Sequence, residues 1–435
     1  GGIITAVAML SSGGGEIPTS GGNAAYYSEE AAVTTTPKET EKNSKTTAKT
    51  TAKTTKKTTA KTTAAPTEGK TTTTTTTAKV TTTTTTTAKV TTPTTTTKAT
   101  TTTTKPVTEA PAKDVVIAGR SYPADTTEIK LEGAGLKNSD IKNLKDLKKL
   151  TIVIINDNNI SDLSVFSEMS WLEGLWINNN SVSDLTPLKN LKNLKYLSAE
   201  DNNISSLSPL SGTRNLEQLW CGGNPISDLS PISKNKGMIY LGVSRCNISS
   251  LSALSGMTDL ERFYATDNNI SDISPLKNTK KLREFFIDRN PVTDLSPISG
   301  NKNMVNMGMA GCNIGSLSAL SGMTKLEVLY AFACGLTDLS PLKKCVSLRH
   351  LDIKYNYFSD VSPLAQCNEI SFLVLSGNQC ADKEAYLNSF KGITIAEGGQ
   401  LYVNEQNFEW ESEAEINEWL DSNISVNGKY YDYAV

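Results

Sequence analysis

His350 is the only histidine in the chain, and Asp352 follows it by two residues. On a strand that spacing puts an imidazole and a carboxylate on one side, the pairing that general acid–base catalysis uses. No motif sets a nucleophile beside them, so they read as a solvated pair. The seven cysteines show no Cys-x-x-Cys spacing, which argues against thiolate zinc or a thioredoxin-like centre. The chain has no GxGxxG and no GxxxxGK[ST], so no phosphate-cradling loop is announced. These residues point away from an enzyme, and they call for no cofactor and no metal.

The side chains best suited to recognition are aromatic. Trp176, Tyr196, Trp220, Tyr240, Tyr264, Phe286, Tyr330, Phe332 and Phe372 recur at places fixed by a repeat, with Arg262, Glu284, Asp288 and Asp352 among them. The repeat has a constant period of 22, the step from Asn158 to Asn180, and no insertion breaks it. Its index positions are Asn158, Asn180, Asn202, Asn224, Cys246, Asn268, Asn290, Cys312, Cys334, Asn356 and Asn378. Eight residues before each index stands Leu, Met or Ile. Five before stand Val153, Leu175, Leu197, Leu219, Leu241, Phe263, Phe285, Met307, Leu329, Leu351 and Leu373. Two after come Ile, Val, Leu, Phe or Cys380. The pattern LxxLxLxx(N/C)xI predicts one short strand per repeat, with residues six, four and two before the index facing out.

The inward columns already hold the aliphatics, so the nine rings must lie on the open face. They are nine of the chain's 28 aromatic residues, and a contiguous apolar patch of that kind marks an interaction site. The structural alternative is that they shield the sheet and stack on one another. At an offset of three repeats, Trp220, Gly242 and Tyr264 match Phe286, Gly308 and Tyr330. An outward Gly between rings would open a notch, and two copies would suit an elongated ligand. A recent internal duplication explains the match equally.

The index Asn is expected to form a buried ladder to the backbone of neighbouring turns, with Cys246, Cys312 and Cys334 as small substitutes. On the far side each repeat ends in Asp-Leu-Ser-Pro-Leu or a variant. Ser208-Pro209, Ser230-Pro231, Ser274-Pro275, Ser296-Pro297, Ser340-Pro341 and Ser362-Pro363 read as N-cap and first residue of short helical turns. The aspartates before them supply one carboxylate per repeat, too few for calcium, which takes six to eight oxygens. All seven cysteines fall in core positions, and a solenoid of this length needs no disulfide.

These residues resemble the leucine-rich repeat. The period of 22 and the tail Ile-Ser-Asp-Leu-Ser-Pro-Leu resemble the bacterial internalin-type class, over about residues 150–380. The resemblance implies an α/β solenoid: a horseshoe with a parallel concave sheet and short helical or 3-10 turns on the convex side. It also implies recognition of a protein partner through the concave face. The expected organisation is an N-terminal cap and irregular first repeat at 113–149, eleven repeats at 150–380 and a C-terminal cap at 381–435 with a helix around 412–420. Residues 381–435 show no pattern of the immunoglobulin-like module that follows the repeats in many internalins, which weakens the carry-over of their function.

Ahead of the repeats the composition changes. Residues 34–108 hold 41 Thr and 13 Lys against three Glu, a net charge of +10, while the whole chain carries −2. Without an apolar period, ordering this stretch cannot be offset by burial, so residues 34–112 are expected to be a disordered stalk. In the polyproline-II limit it would reach roughly 230 Å. Residues 1–33 begin with a short apolar run and are read as the remnant of a signal or anchor segment, or as an unstructured leader. Together these features suggest an extracellular, surface-anchored or secreted monomer, from a Gram-positive bacterium, that binds a protein on a host or neighbouring cell. The alternatives are a polysaccharide, stacked on the rings, and a spacer with no ligand. The folded part has no basic stripe, which argues against nucleic acid. The basic stalk could touch a cell wall or membrane surface.

Overall fold

A three-residue strand can bury one side chain and present two, and only stacking gives it a core. The computed structural model describes residues 113–378, 382–403, 418–419 and 425–426. The Thr-rich stalk, the leader, Cys380 and most of the helix expected at 412–420 lie outside these residues. A hairpin of β1 (Val115–Ile117) and β2 (Arg120–Tyr122) comes first, followed by β3 (Glu128–Lys130). Eleven strands follow, each one repeat after the last. These are β4 (Ile152–Ile154), β5 (Gly174–Trp176), β6 (Tyr196–Ser198), β7 (Gln218–Trp220), β8 (Tyr240–Gly242), β9 (Arg262–Tyr264), β10 (Glu284–Phe286), β11 (Asn306–Gly308), β12 (Val328–Tyr330), β13 (His350–Asp352) and β14 (Phe372–Val374). Helix α1 (Lys383–Ser389) is followed by β15 (Thr394–Ile395), β16 (Gln400–Tyr402) and β17 (Ser425–Val426). Strands β3 to β14 and then β16 form one parallel sheet of 13 strands, and β15 pairs with β17.

The register keeps like positions side by side: Phe285 pairs with Phe263 on one side and Met307 on the other. One repeat buries Leu216, Leu219, Cys221, Ile226, Leu229 and Ile232, each at most 2% exposed. Each aliphatic among them contributes about 2 kcal/mol. The residue just before every index lies in the left-handed region. Asp157, Asn179, Asp201, Gly223, Arg245, Asp267, Arg289, Gly311, Ala333, Tyr355 and Gly377 all have φ between 51° and 68°. This twist lets the ladder run past the strand: Asp201 N–H donates to Gly222 O at 2.9 Å and Arg245 N–H to Thr266 O at 2.8 Å.

The far side is built of 3-10 turns, such as Ser230–Ile232 and Ser340–Lys344. Their capping differs from the expectation. Ser230 is the first residue of its turn, and its side chain caps nothing. The cap is Asp228, which accepts the Ser230 N–H at 2.8 Å and its hydroxyl at 2.7 Å. Asp162, Asp272, Asp294 and Asp338 do the same for Ser164, Ser274, Ser296 and Ser340. The hydrogen bonds to Ser230 hold the Asp228 carboxyl below its ordinary range. The aspartate column is thus an Asx-turn device.

Candidate functional site: the ring-bearing sheet face

The index side chains hold the face from below. Asn224 is 2% exposed. Its amide donates to Ala199 O, Cys221 O and Gly222 O at 2.8, 3.1 and 3.2 Å, and its oxygen accepts the Ile204 N–H at 2.8 Å. Asn158, Asn180, Asn202, Asn268, Asn290 and Asn356 repeat this arrangement. Asn378 donates to Ile353 O at 3.3 Å. Cys246, Cys312 and Cys334 replace it with weak thiol contacts to Cys221 O, Ile287 O and Met309 O at 3.5, 3.3 and 3.1 Å. The six described cysteines are buried and free, and burial pushes the Cys246 thiol up.

Above the backbone the rings form runs. Trp176 stacks with Tyr196 at 6.3 Å. Trp220 touches Tyr240 and Tyr264 at 6.5 and 5.2 Å, and Tyr264 stacks flat on Phe286 at 5.5 Å. Around Tyr240 and Tyr264 the charges are paired: Arg262 lies over the Tyr240 ring at 4.7 Å and meets Glu284 at 3.1 Å, while the Tyr264 hydroxyl donates to Glu284. A second run crosses Tyr330, His350, Phe372 and Tyr402 with centroids 5.0, 4.2 and 5.5 Å apart. Burial in that stack lowers His350 to about 4, so the imidazole is neutral at physiological pH. It is a stacked ring, and the reading of His350 and Asp352 as a solvated pair is corrected.

Three features depart from the face expected from the sequence. The outward glycines open no notch: the Trp220 ring lies where a side chain at Gly242 would be, the Phe286 ring where one at Gly308 would be, and the Trp176 ring covers Gly174. The glycines give room for rings to lie flat, so each ring shields sheet backbone. Next, three of the outward side chains expected to meet a ligand are buried: Tyr330 (6% exposed), Asp288 (1%) and Asp352 (7%). The other eight rings are half-buried. Asp288 accepts the Ala310 N–H at 2.9 Å and the Thr266 hydroxyl at 3.2 Å. Finally, the most exposed aromatic side chains among the described residues are Tyr355 and Tyr357, at 50% and 52%. They sit one residue before and one after an index, outside the three outward columns. The signal was a ring in a column otherwise made mostly of Asp, Asn and Gly.

Desolvation raises Asp288 and Asp352 to about 6 and Glu200 to about 7. A carboxyl whose folded pKa is raised holds its proton more tightly when folded. Its contribution to stability is complete below the unfolded value near 4 and is lost as pH rises through 6. Asp288→Asn is therefore expected to stabilise the chain by about 2–3 kcal/mol at pH 7.5 and by almost nothing at pH 4. Urea unfolding of the two proteins at both pH values checks this, and an equal difference at both pH values would contradict it.

A family model described as leucine-rich repeats (2 copies) matches residues 192–234 and 324–366. No curated protein sequence matches the chain. Among solved structures, an internalin from Listeria monocytogenes is similar at 24% identity and TM-score 0.63, over 73% of this chain and 91% of its own. A leucine-rich-repeat protein of Leptospira interrogans is 15% identical at TM-score 0.53, over 67% of this chain and 80% of its own. A plant peptide hormone receptor in complex with RGF2 is 15% identical at TM-score 0.52, over 66% and 53%. The strand spacing, the Asn ladder and these likenesses together show a solenoid of leucine-rich repeats, similar in structure to an internalin of Listeria.

Proposed function

We propose that the chain is a surface-displayed binding module that recognises a protein partner through the ring-bearing face of its sheet. The observation that carries this reading is the set of eight half-buried rings on an open face whose core columns are already filled. They sit on a preformed ladder, so little ordering accompanies contact, and aromatic anchors of this kind dominate interface energies. Paired charges such as Arg262 and Glu284 would set specificity more than affinity. Support for protein as the ligand class comes from the plant receptor of the same fold, whose structure is a complex with RGF2. The internalin-type class and the Thr-rich stretch support display outside the cell, as an adhesin or recognition protein.

The covering of Gly174, Gly242 and Gly308 by rings favours a second reading, in which the face is self-shielding and the solenoid is a spacer. The two readings separate on arrays of surface proteins and of polysaccharides probed with the full chain. The binding reading expects retention on the protein array, weakened when Trp176, Trp220, Tyr264, Phe286 and Tyr330 are replaced by Ser in a protein of equal circular dichroism. Retention on polysaccharides alone would move the ligand class. Retention on neither, or retention indifferent to the substitutions, favours the spacer.

A further inference from the structure

We propose that the rim of the sheet between Arg289 and Tyr357 receives an extended acidic segment of the protein partner, an inference that rests on the face being protein-binding. The left-handed column is bare for two successive repeats, at Gly311 and Ala333, and the loop beyond it is bare at Gly335. Elsewhere such positions are covered: the Asp201 and Arg245 side chains lie over Gly223 and the Tyr355 ring lies over Gly377. At Gly311 the nearest group is the Arg289 stem at 3.4 Å, and at Gly335 the Asn313 amide oxygen at 3.3 Å, so the floor stays low. From the Arg289 strand to the Tyr355 strand is three strand spacings, about 14 Å, which four extended residues would span.

Tyr355 and Tyr357 stand at one end of this floor and are half exposed. Tyr355 holds φ 56°, a conformation that β-carbon-bearing residues other than Asn and Asp rarely adopt, and keeps its ring at the surface there. Beside it Lys354 lies over the Phe332 ring at 5.3 Å and the Tyr355 ring at 5.8 Å. Its carboxylate partner, Asp352, is 3.9 Å away and buried. The other residues of the strip, Ala310, Gly311, Asn313, Phe332, Ala333 and Gly335, carry no charge. Asp352 is buried beneath the sheet surface while the Lys354 ammonium reaches it, so of this ion pair the cation is the member that a ligand meets, and at physiological salt charges beyond about 8 Å add little. The arrangement suits a carboxylate on Lys354 with the neighbouring apolar group packed on Phe332 and Tyr355.

The test uses the full chain on three decapeptide libraries in which apolar residues alternate with Asp/Glu, with Asn/Gln or with Lys/Arg, and on a neutral glucan. The expected result is at least tenfold stronger retention on the acidic library, falling as salt rises. Lys354→Gln, Tyr355→Gly and Tyr357→Ser should each reduce it about tenfold. Tyr355→Gly relieves the left-handed strain but uncovers Gly377, so urea midpoints measured for each variant separate lost contact from lost folding. No preference for the acidic library, no peptide binding, or glucan binding that ignores salt and Lys354→Gln would overturn the proposal. If the chain binds the protein array through Trp176 and Trp220 but ignores the three rim substitutions, the rim proposal fails while the face reading stands. If it binds no protein at all, the face reading itself has failed.

Discussion

Asn224→Ala is expected to lower the free energy of unfolding by about 4 kcal/mol. The side chain lies at 2% exposure, bonded to two carbonyls of its own turn and to one carbonyl and one amide of the preceding turn. Alanine leaves the Ile204 N–H buried without its acceptor, a loss of about 1–3 kcal/mol. It also removes the shorter of two amide donors from the Ala199 carbonyl, which keeps Asn202 at 3.2 Å, and forfeits the bonds to Cys221 O and Gly222 O. Because each turn is held by its neighbours, the damage passes to the repeats on either side. The reverse change gives the internal control. Cys246 already stands at a ladder position and makes only long thiol contacts of 3.5 and 3.6 Å. Cys246→Asn should therefore stabilise by about 1 kcal/mol. Urea titrations followed by circular dichroism measure both. A change of less than about 1 kcal/mol for Asn224→Ala would mean that water replaces the ladder bonds, and the account of the ladder would fail.

Gly308→Ala and Gly242→Ala form the second large contrast. Both glycines lie under a ring, but what else is near them differs. A β-carbon at 308 would stand 2.6 Å from the Phe286 ring and 2.7 Å from an oxygen of Asp288. The ring can swing into solvent, whereas Asp288 is buried and bonded to Ala310 and Thr266. At 242 the three nearest atoms all belong to the Trp220 ring, which can shift outward at the cost of its contacts with Tyr240 and Tyr264. Gly308→Ala should cost about 3 kcal/mol and Gly242→Ala about 1 kcal/mol. Combining Gly308→Ala with Asp288→Asn should recover part of the loss at neutral pH. Equal costs at the two positions would show that ring displacement alone sets the energy.

The fold was legible because an unbroken repeat leaves one solution for burying its aliphatic columns. Leu175, Leu197 and Leu219 sit side by side in the register that the repeat implies. The placement of side chains above the sheet was not legible in the same way. Alternation says that Trp220 and Asp288 leave the strand on the outer side, but not where a long side chain then lies. The empty space over Gly242 and Gly308 decided that, drawing the rings down and enclosing Asp288. The cap assignment missed for a related reason: Ser, Pro and Asp are all good at helix starts, and the choice rests on backbone angles. Tyr355 and Tyr357 escaped because they belong to the loop columns, where the left-handed residue before each index now marks a position to read.

The central claim is that rings on the open face meet the ligand. The most direct measurement is the affinity of the full chain, with and without Trp176→Leu and Trp220→Leu, for a protein selected on the surface-protein array. Leucine keeps an apolar cover over Gly174 and Gly242 while removing the ring, so stability should stay within about 1 kcal/mol. The account predicts at least a thirtyfold loss of affinity, carried mainly by faster dissociation. An affinity unchanged in the doubly substituted protein would contradict it.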